Sequence, residues 1–295
     1  MKNNMEKSPM SRDKILITGA KGQLGTDLVS LLNKCNYIVY GYSRKELDIT
    51  KLENVQEIFE EVKPNIVIHA GAHTKVDLAE LEQDNTYLIN AIGTRNISIE
   101  AEKHGAKLVY ISTDYVFNGQ GKEPYNEFQS TSPLGIYGKS KLAGEEFVRD
   151  LHSKFFIVRT SWVYGENGNN FVKTMLKLGK EKDELSVVYD QIGCPTFTVD
   201  LSNKIIEIMS TENYGTYHVS NSGSCSWYEF AEEIFRLVNI NIELKPVTTD
   251  QFPRPAKRPA YSVFDHMSLR LNGFSEMRHW KTALKDFVEN HNIYK

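Results

Sequence analysis

The sequence predicts an α/β fold: a doubly wound parallel sheet carrying a smaller C-terminal lobe. Three observations predict it. Short apolar runs alternate with segments of helical spacing through the first half of the chain, the order that a parallel sheet covered on both faces requires. The first run ends directly in a glycine-rich turn. Hydrophobic residues make up 40% and charged residues 25% of the 295, enough apolar material for one large domain or about two smaller ones.

Each element has its own signal. Lys14-Ile15-Leu16-Ile17-Thr18 is the first strand, and 27–32 reads as the helix after it. Tyr37-Ile38-Val39-Tyr40-Gly41 is the second strand. Across 51–62, Leu52, Val55, Ile58, Phe59 and Val62 recur at helical spacing, and Pro64 blocks continuation. Ile66-Val67-Ile68-His69-Ala70 is the third strand, 86–104 a helix, 107–112 the fourth strand and 155–159 the fifth. Beyond about residue 165 the pattern loosens. Helices are expected at 171–179, 201–209 and 227–238, between Gly/Pro-bearing segments such as Ile192-Gly193-Cys194-Pro195-Thr196. The Pro-rich run 253–259 reads as a loop.

Composition narrows the function classes. A formal charge of −3 gives no sign of a nucleic-acid partner. The three cysteines, Cys35, Cys194 and Cys225, are far apart and form no CxxC, which argues for a reducing cytoplasm and against a disulfide or zinc framework. No run approaches the roughly 18 apolar residues of a membrane span. The stretch before Lys14 is polar and lacks the apolar core of a signal peptide, so a disordered leader is expected over 1–13.

Gly19-Ala20-Lys21-Gly22-Gln23-Leu24-Gly25 stands between the first strand and its helix. In that context the first glycine permits a tight turn, the next lets backbone N–H groups approach a pyrophosphate, and the last lets helix and strand pack closely. The motif points to a dinucleotide. After the second strand stands Tyr42-Ser43-Arg44 rather than an acid. A hydroxyl and a guanidinium suit a 2′-phosphate, which leans toward NADPH over NADH. Asp48 has a competing reading as a cap for the helix that follows. Gly71-Ala72-His73 follows the third strand at the carboxyl edge of the sheet, where ligands bind.

Tyr137-Gly138-Lys139-Ser140-Lys141 contains Tyr-x-x-x-Lys, whose offset of four puts both side chains on one helix face. A nearby ammonium is expected to stabilise the phenolate and lower a phenol pKa near 10, making the tyrosine a proton donor to a ketone. Ser112-Thr113-Asp114 at the end of the fourth strand adds a hydroxyl for the same oxygen.

The GxxGxxG spacing resembles the extended short-chain dehydrogenase/reductase family, with its Rossmann-like fold. Longer segments resemble the dTDP-4-dehydrorhamnose reductases within it: Ser112-Thr113-Asp114-Tyr115-Val116-Phe117-Asn118-Gly119, Pro133-Leu134-Gly135-Ile136-Tyr137-Gly138-Lys139-Ser140-Lys141-Leu142-Ala143-Gly144-Glu145, Arg159-Thr160-Ser161-Trp162-Val163-Tyr164-Gly165, Asp190-Gln191-Ile192-Gly193-Cys194-Pro195-Thr196, and Arg258-Pro259-Ala260-Tyr261-Ser262. The likeness runs from Lys14 to Phe287. It implies reduction of the C4 ketone of dTDP-4-dehydro-β-L-rhamnose by NADPH or NADH. The implied catalytic residues are Thr113, Tyr137 and Lys141. The implied cofactor residues are Gly19, Gly22, Gln23, Leu24 and Gly25 at the pyrophosphate, Ser43 and Arg44 at the ribose, Asp48 and Ile49 at the adenine, and Gly71, Ala72 and His73 along the sheet edge, with Tyr137 and Lys141 beside the nicotinamide. Thr113, Asp114, Trp162 and Arg258 are implied on the substrate, with Gln191 and Thr196 either shaping the pocket or forming a turn. The chain would then divide into the leader, a dinucleotide-binding domain over 14–165 and a mainly substrate-binding lobe over 166–295, free to return strands or helices to the first domain. A homodimer is implied.

Two departures from the family are visible: Asn118-Gly119-Gln120-Gly121 is looser than the expected Asp-Gly ending, and Asp27 and Asp200 have no metal-ligand spacing, so no essential metal is expected. Competing functions are a reductase or epimerase of another 4-keto-6-deoxy sugar nucleotide, and a regulatory cofactor-binding subunit like the similar β subunit of methionine adenosyltransferase. Epimerases usually carry an acid after the second strand, and a regulatory subunit would have eroded Thr113, Tyr137 or Lys141.

Overall fold

A computed structural model describes residues 13–290, so the expected leader lies, apart from Asp13, outside the described residues. The chain runs β1 (Lys14–Thr18), α1 (Gln23–Lys34), β2 (Ile38–Tyr42), α2 (Leu52–Val62), β3 (Ile66–His69), α3 (Val76–Ala79), α4 (Gln83–Tyr87), α5 (Thr94–Lys103), β4 (Lys107–Thr113), α6 (Ile136–Leu151) and β5 (Phe155–Thr160). It continues through β6 (Val163–Tyr164), α7 (Phe171–Glu181), β7 (Glu184–Val188), β8 (Ile192–Gly193), β9 (Thr196–Phe197), α8 (Thr198–Met209), β10 (Gly215–His218), β11 (Cys225–Ser226), α9 (Trp227–Val238), β12 (Glu243–Val247), α10 (Met267–Leu271) and α11 (Trp280–Asn290).

Six parallel strands form the main sheet in the order β10-β5-β4-β3-β1-β2. The chain steps outward from β1 to β2, then returns past β1 to β3. Strand order reverses there, and a crevice opens at the carboxyl ends of β1 and β3. Side chains along β1 alternate between two cores. Ile15 and Ile17 meet Leu24, Leu28 and Leu32 of α1 and Ile205 of α8. Leu16 meets Val55 and Phe59 of α2 and Ile97 of α5. Where both faces are covered, as along β1 and β3, a strand needs apolar residues at nearly every position, which is why these strands read as unbroken runs, while β2 at the sheet edge has no buried residue. Each such buried side chain contributes roughly 1.5–3 kcal/mol relative to exposure.

The C-terminal half contributes to this sheet. β10 pairs with β5 from Gly215 opposite Phe156 to His218 opposite Arg159, and α8 packs against α1. The lobe has its own core, in which Val172 and Leu176 of α7 meet Phe230 and Ile234 of α9 and Trp280 and Phe287 of α11.

Several elements differ from expectation, among them β10 and α11, which no pattern announced. Helix α1 starts at Gln23 rather than 27, with Gly22 as its N-cap, because the glycine turn is itself the first turn of the helix. The helix expected over 86–104 begins at Gln83 and is widened in its middle by a π-helical segment, Leu88–Gly93. The parallel pair β7 with β12 was not expected, since Glu184, Glu243, Lys245 and Pro246 hide its period. The loop expected over 253–259 is free of helix and strand.

Candidate active site

The glycine turn closes the crevice at the end of β1. Gly19 takes φ +69°, in the left-handed region, and a Cβ there would lie 2.8 Å from Gly71 N. A Cβ on Gly25 would lie 2.2 Å from Gly19 O, so only glycine lets α1 sit this close to the turn. Thr18 fixes the other wall: its Oγ1 accepts from Gly71 N at 3.1 Å and contacts His69 Nδ1 at 2.7 Å. No side chain caps the N-terminus of α1, so its first N–H groups present partial positive charge to the crevice.

A cavity of about 660 Å³ runs along the carboxyl edge of the sheet. Gly19, Gly22, Gln23, Leu24 and Gly25 line one end, with Ser43, Arg44, Asp48 and Ile49 beyond them, and Gly71, Ala72 and His73 across from them. Thr113, Asp114, Tyr137, Lys141 and Trp162 line the other end. Every expected site residue except Arg258 therefore faces one cavity. Gln191 and Thr196 are also absent from its wall.

Some details differ from the sequence reading. Asp48 does not cap α2, whose N-cap is Lys51; its Oδ1 accepts from Thr50 N at 3.1 Å and Thr50 Oγ1 at 2.7 Å, closing a local turn. The acid found missing after β2 arrives three residues later. Glu46 accepts from Ser43 N at 2.8 Å and Ser43 Oγ at 2.7 Å and pairs with Lys21 at 3.5 Å, so Ser43 is engaged by a carboxylate while Arg44 is exposed beside it. Arg258 lies outside the cavity wall, where its Nη2 donates to Asp77 Oδ2 at 3.1 Å.

Thr113 ends β4 and Tyr137 stands in the first turn of α6. The Thr113 hydroxyl donates to Asp114 Oδ1 at 3.0 Å and bonds with the Tyr137 phenol. Tyr115 meets the Tyr137 ring edge-on at 5.4 Å between centroids. Burial pushes the Asp114 carboxyl up to about 6, against hydrogen bonds from Ser262 and Thr113.

The expected lowering of the tyrosine pKa is not found. Desolvation pushes Tyr137 up to about 12, the Thr113 hydrogen bond works against it, and the Asp114 charge adds to it. Lys141 is turned toward the sheet: its Nζ donates to Ile111 O at 2.7 Å and lies 4.0 Å above the Tyr110 ring. Burial drives its pKa down to about 7, partly countered by Glu145 one turn on. Glu145 is itself buried and held by Arg159 Nε at 2.9 Å, Arg159 Nη2 at 2.7 Å and Ser112 Oγ at 2.6 Å. The Tyr137 phenol is therefore governed by its desolvation, Thr113 and Asp114, while the Lys141 ammonium is occupied by Ile111 O and the Tyr110 ring.

Trp162 follows β5 with φ +46°, an uncommon conformation for a bulky residue and a sign of local strain. The cavity wall also includes Lys21, Tyr115, Ser161 and Asn169. Lys21 was legible inside the glycine turn as a cation beside phosphates. Ser161 and Asn169 sit outside the helices and strands and have no spacing that marks them. Among the described residues no group of three or more His, Cys, Asp or Glu gathers to hold a metal. Asp27 instead accepts from Asn167, and Asp200 from Arg278 and Asn221.

This fold and site have close parallels. The family model of the RmlD substrate binding domain matches residues 13–293. The spore coat polysaccharide biosynthesis protein SpsK of Bacillus subtilis is 46% identical over 276 residues, covering 94% of this chain and 97% of that protein. A dTDP-4-dehydrorhamnose reductase of Aggregatibacter actinomycetemcomitans is 42% identical, covering 92% and 97% respectively. The crystal structure of dTDP-4-dehydrorhamnose reductase from Bacillus anthracis in complex with NADP superposes with a TM-score of 0.92 at 54% identity, covering 94% of this chain and 98% of that one.

Proposed function

The chain belongs to the RmlD substrate-binding-domain family, and from that premise we propose that it reduces the C4 ketone of dTDP-4-dehydro-β-L-rhamnose to dTDP-β-L-rhamnose with NADPH or NADH, the last step of dTDP-L-rhamnose synthesis. One observation carries the reading: the glycine cradle and the Thr113–Tyr137–Lys141 cluster face one cavity at the point where strand order reverses.

The residues fit a dinucleotide. A Cβ at Gly19 or Gly25 would meet the protein's own backbone at under 3 Å, so these glycines let β1, α1 and the segment after β3 close tightly around the turn while the uncapped N-terminus of α1 stays open to the cavity. Gly19, Gly22, Gln23, Leu24 and Gly25 would hold the pyrophosphate, Ser43 and Arg44 the adenosine ribose, and Asp48 and Ile49 the adenine. Gly71, Ala72 and His73 would line the cofactor's path, and Lys141 would hold the nicotinamide ribose. When bound, the reduced nicotinamide supplies the hydride.

The chain's own residues supply the proton. Thr113 and Tyr137 hold the C4 oxygen from two sides. As the electron pair of the C=O bond moves onto oxygen, Tyr137 gives it the phenol proton, leaving an alcohol. The phenolate then regains a proton from solvent, with Lys141 stabilising it while charged. Asp114 and Trp162 face the sugar, and Arg258 is suited to the diphosphate, since a guanidinium pairs with phosphate oxygens. Support for a phosphate-bearing cofactor comes from the exposed Arg44 and the uncapped end of α1.

The preference for NADPH is supported by Arg44 and by the NADP held in the Bacillus anthracis structure. Further parts of the reading are a homodimer, on family grounds, and a cytoplasmic location, supported by the three free thiols. Among the described residues no helix is long and apolar enough to cross a membrane. The test is one assay with purified protein, enzymatically made dTDP-4-dehydrorhamnose and each cofactor. Loss of nicotinamide absorbance with dTDP-L-rhamnose identified by NMR is expected. Absence of turnover with both cofactors would overturn the reading.

A further inference from the structure

Trp162 is the strained residue of the cavity wall, and the structure shows what holds it there. Its indole stacks on that of Trp227, the first residue of α9, with centroids 3.5 Å apart and planes 6° from parallel. Gly193 leaves the room the indole needs, since a Cβ there would lie 2.5 Å from Trp162 Cε2. Trp227 is fixed in turn. Its Nε1 donates to Gln191 Oε1 at 3.2 Å, and Gln191 Nε2 donates to Thr249 Oγ1 at 3.0 Å. Asp190 anchors Thr249, accepting from its N at 2.9 Å and its Oγ1 at 2.7 Å. Trp227 is absent from the cavity wall itself.

The backbone at this point joins the two halves of the molecule. Thr196 N donates to Trp162 O at 3.2 Å, Ser161 Oγ to Cys194 O at 2.7 Å, and Gln23 Nε2 of the glycine turn to Val163 O at 2.9 Å. A left-handed backbone at a bulky residue persists only where its surroundings over-determine it. Here the stacked Trp227, the space at Gly193 and the polar chain through Gln191 do so.

We propose that Trp227 is a positioning residue for the nucleotide sugar: by stacking on Trp162 it fixes that indole as one wall of the substrate end of the cavity, and so sets substrate affinity without touching the cofactor or the reacting atoms. The inference rests on the reductase reading given above.

The test compares wild type with Trp227→Leu and Trp227→Phe. Three quantities are read: affinity for NADPH, the split of KM for dTDP-4-dehydrorhamnose against kcat, and the near-ultraviolet circular-dichroism couplet of two stacked indoles. Trp227→Leu is expected to lose the couplet, raise KM about tenfold, and change kcat and NADPH affinity by less than about threefold. Trp227→Phe keeps an aromatic face and is expected to restore KM to within about threefold of wild type. An unchanged KM in Trp227→Leu, with the couplet gone, would overturn the proposal and leave Trp227 as lobe packing. An equal loss of NADPH affinity would overturn it too. If Trp227→Leu does not fold, Gln191→Leu carries the same readouts: it frees the Trp227 ring edge, a rise in KM supports the proposal and an unchanged KM refutes it. Failure of the reductase reading shows separately, as a wild type that consumes no cofactor with this sugar.

Discussion

In the proposed reduction Tyr137 gives its proton to the substrate oxygen, and desolvation, which pushes the phenol up to about 12, favours its neutral form. A donor that is fully protonated before the reaction suits reduction, in which the negative charge appears first on the substrate oxygen. Tyr137→Phe removes only the hydroxyl, so it should keep NADPH binding and lower kcat by about 10²–10⁴-fold. Single-turnover measurement of nicotinamide oxidation checks this, and wild-type turnover by the variant would remove Tyr137 from the mechanism. In the proposed reading cofactor choice turns on Arg44, because the neighbouring Ser43 hydroxyl is engaged by Glu46. Arg44→Ala should weaken NADPH about tenfold and NADH by less than about twofold, as loss of one phosphate-paired guanidinium predicts. Titration of both cofactors by nicotinamide fluorescence decides it, and equal losses for the two would dismiss a 2′-phosphate contact.

At the scale of elements, the turn between β1 and α1 is built so that backbone meets backbone. The Gly25 position is the tightest of its three glycines, with a Cβ 2.2 Å from Gly19 O, while at Gly22 the same atom would be 3.1 Å away. Gly25→Ala must therefore push α1 off the turn, and should cost about 1–3 kcal/mol of stability and at least about tenfold in NADPH affinity. Gly22→Ala should cost less in both. Urea unfolding and cofactor titration of the two variants test the ranking, and the reverse order would show that the turn yields at Gly25. The π-helical segment Leu88–Gly93 also serves the site. It brings Asn90 to where its Oδ1 accepts from His73 N at 2.7 Å and its Nδ2 donates to Ser140 Oγ at 3.0 Å, tying the loop after β3 to α6, which carries Tyr137 and Lys141.

Across the whole molecule, the polar groups inside the fold set its response to acid. Burial lowers His69 to about 3 and His266 to about 4, and pushes His218 well below its usual value. In the unfolded chain each of these imidazoles takes up a proton below roughly pH 6.5. The unfolded state then binds more protons than the fold, so stability falls as pH drops through that range. Asp114 acts with the opposite sign: its raised value lets the fold bind a proton below about 6 that the unfolded chain does not take up until near 3.8. The raised carboxyl of Glu127 opposes the histidines in the same way. The histidines outweigh these two, and a net loss of about 2 kcal/mol is expected between about pH 7 and pH 5.5. Urea unfolding at both pH values measures it. A flat or rising stability would mean that at least one of these histidines is charged in the fold.

Much of this protein was legible from residues alone, wherever local pattern and local chemistry coincide. The strands β1, β3, β4 and β5 read as apolar runs because most of their residues are buried, and Gly19 and Gly25 announce a tight turn because a Cβ at either would run into backbone. Tyr137 and Lys141 share a helix face by spacing alone. What spacing does not encode is the environment into which that face folds. Burial, a property of the packed chain, raises Tyr137 and draws Lys141 toward Ile111 and Tyr110, where a sequence reading expects an ammonium lowering a phenol. Tertiary structure likewise decides that Glu46 engages Ser43, that Arg258 pairs with Asp77, and that Gly119, in a segment departing from the family pattern, lies against Pro259 with no room for a Cβ. The strand at Gly215–His218 enters the sheet beside residues almost sixty positions earlier, and Trp227 stacks on Trp162 across a similar separation. Contacts between distant segments leave no period in either one. The sequence by itself therefore determined the fold class, the glycine turn and the shared helix face of Tyr137 and Lys141, while the electrostatics of those side chains and the shape of the cavity wall at Trp162 were decided only when the distant segments packed.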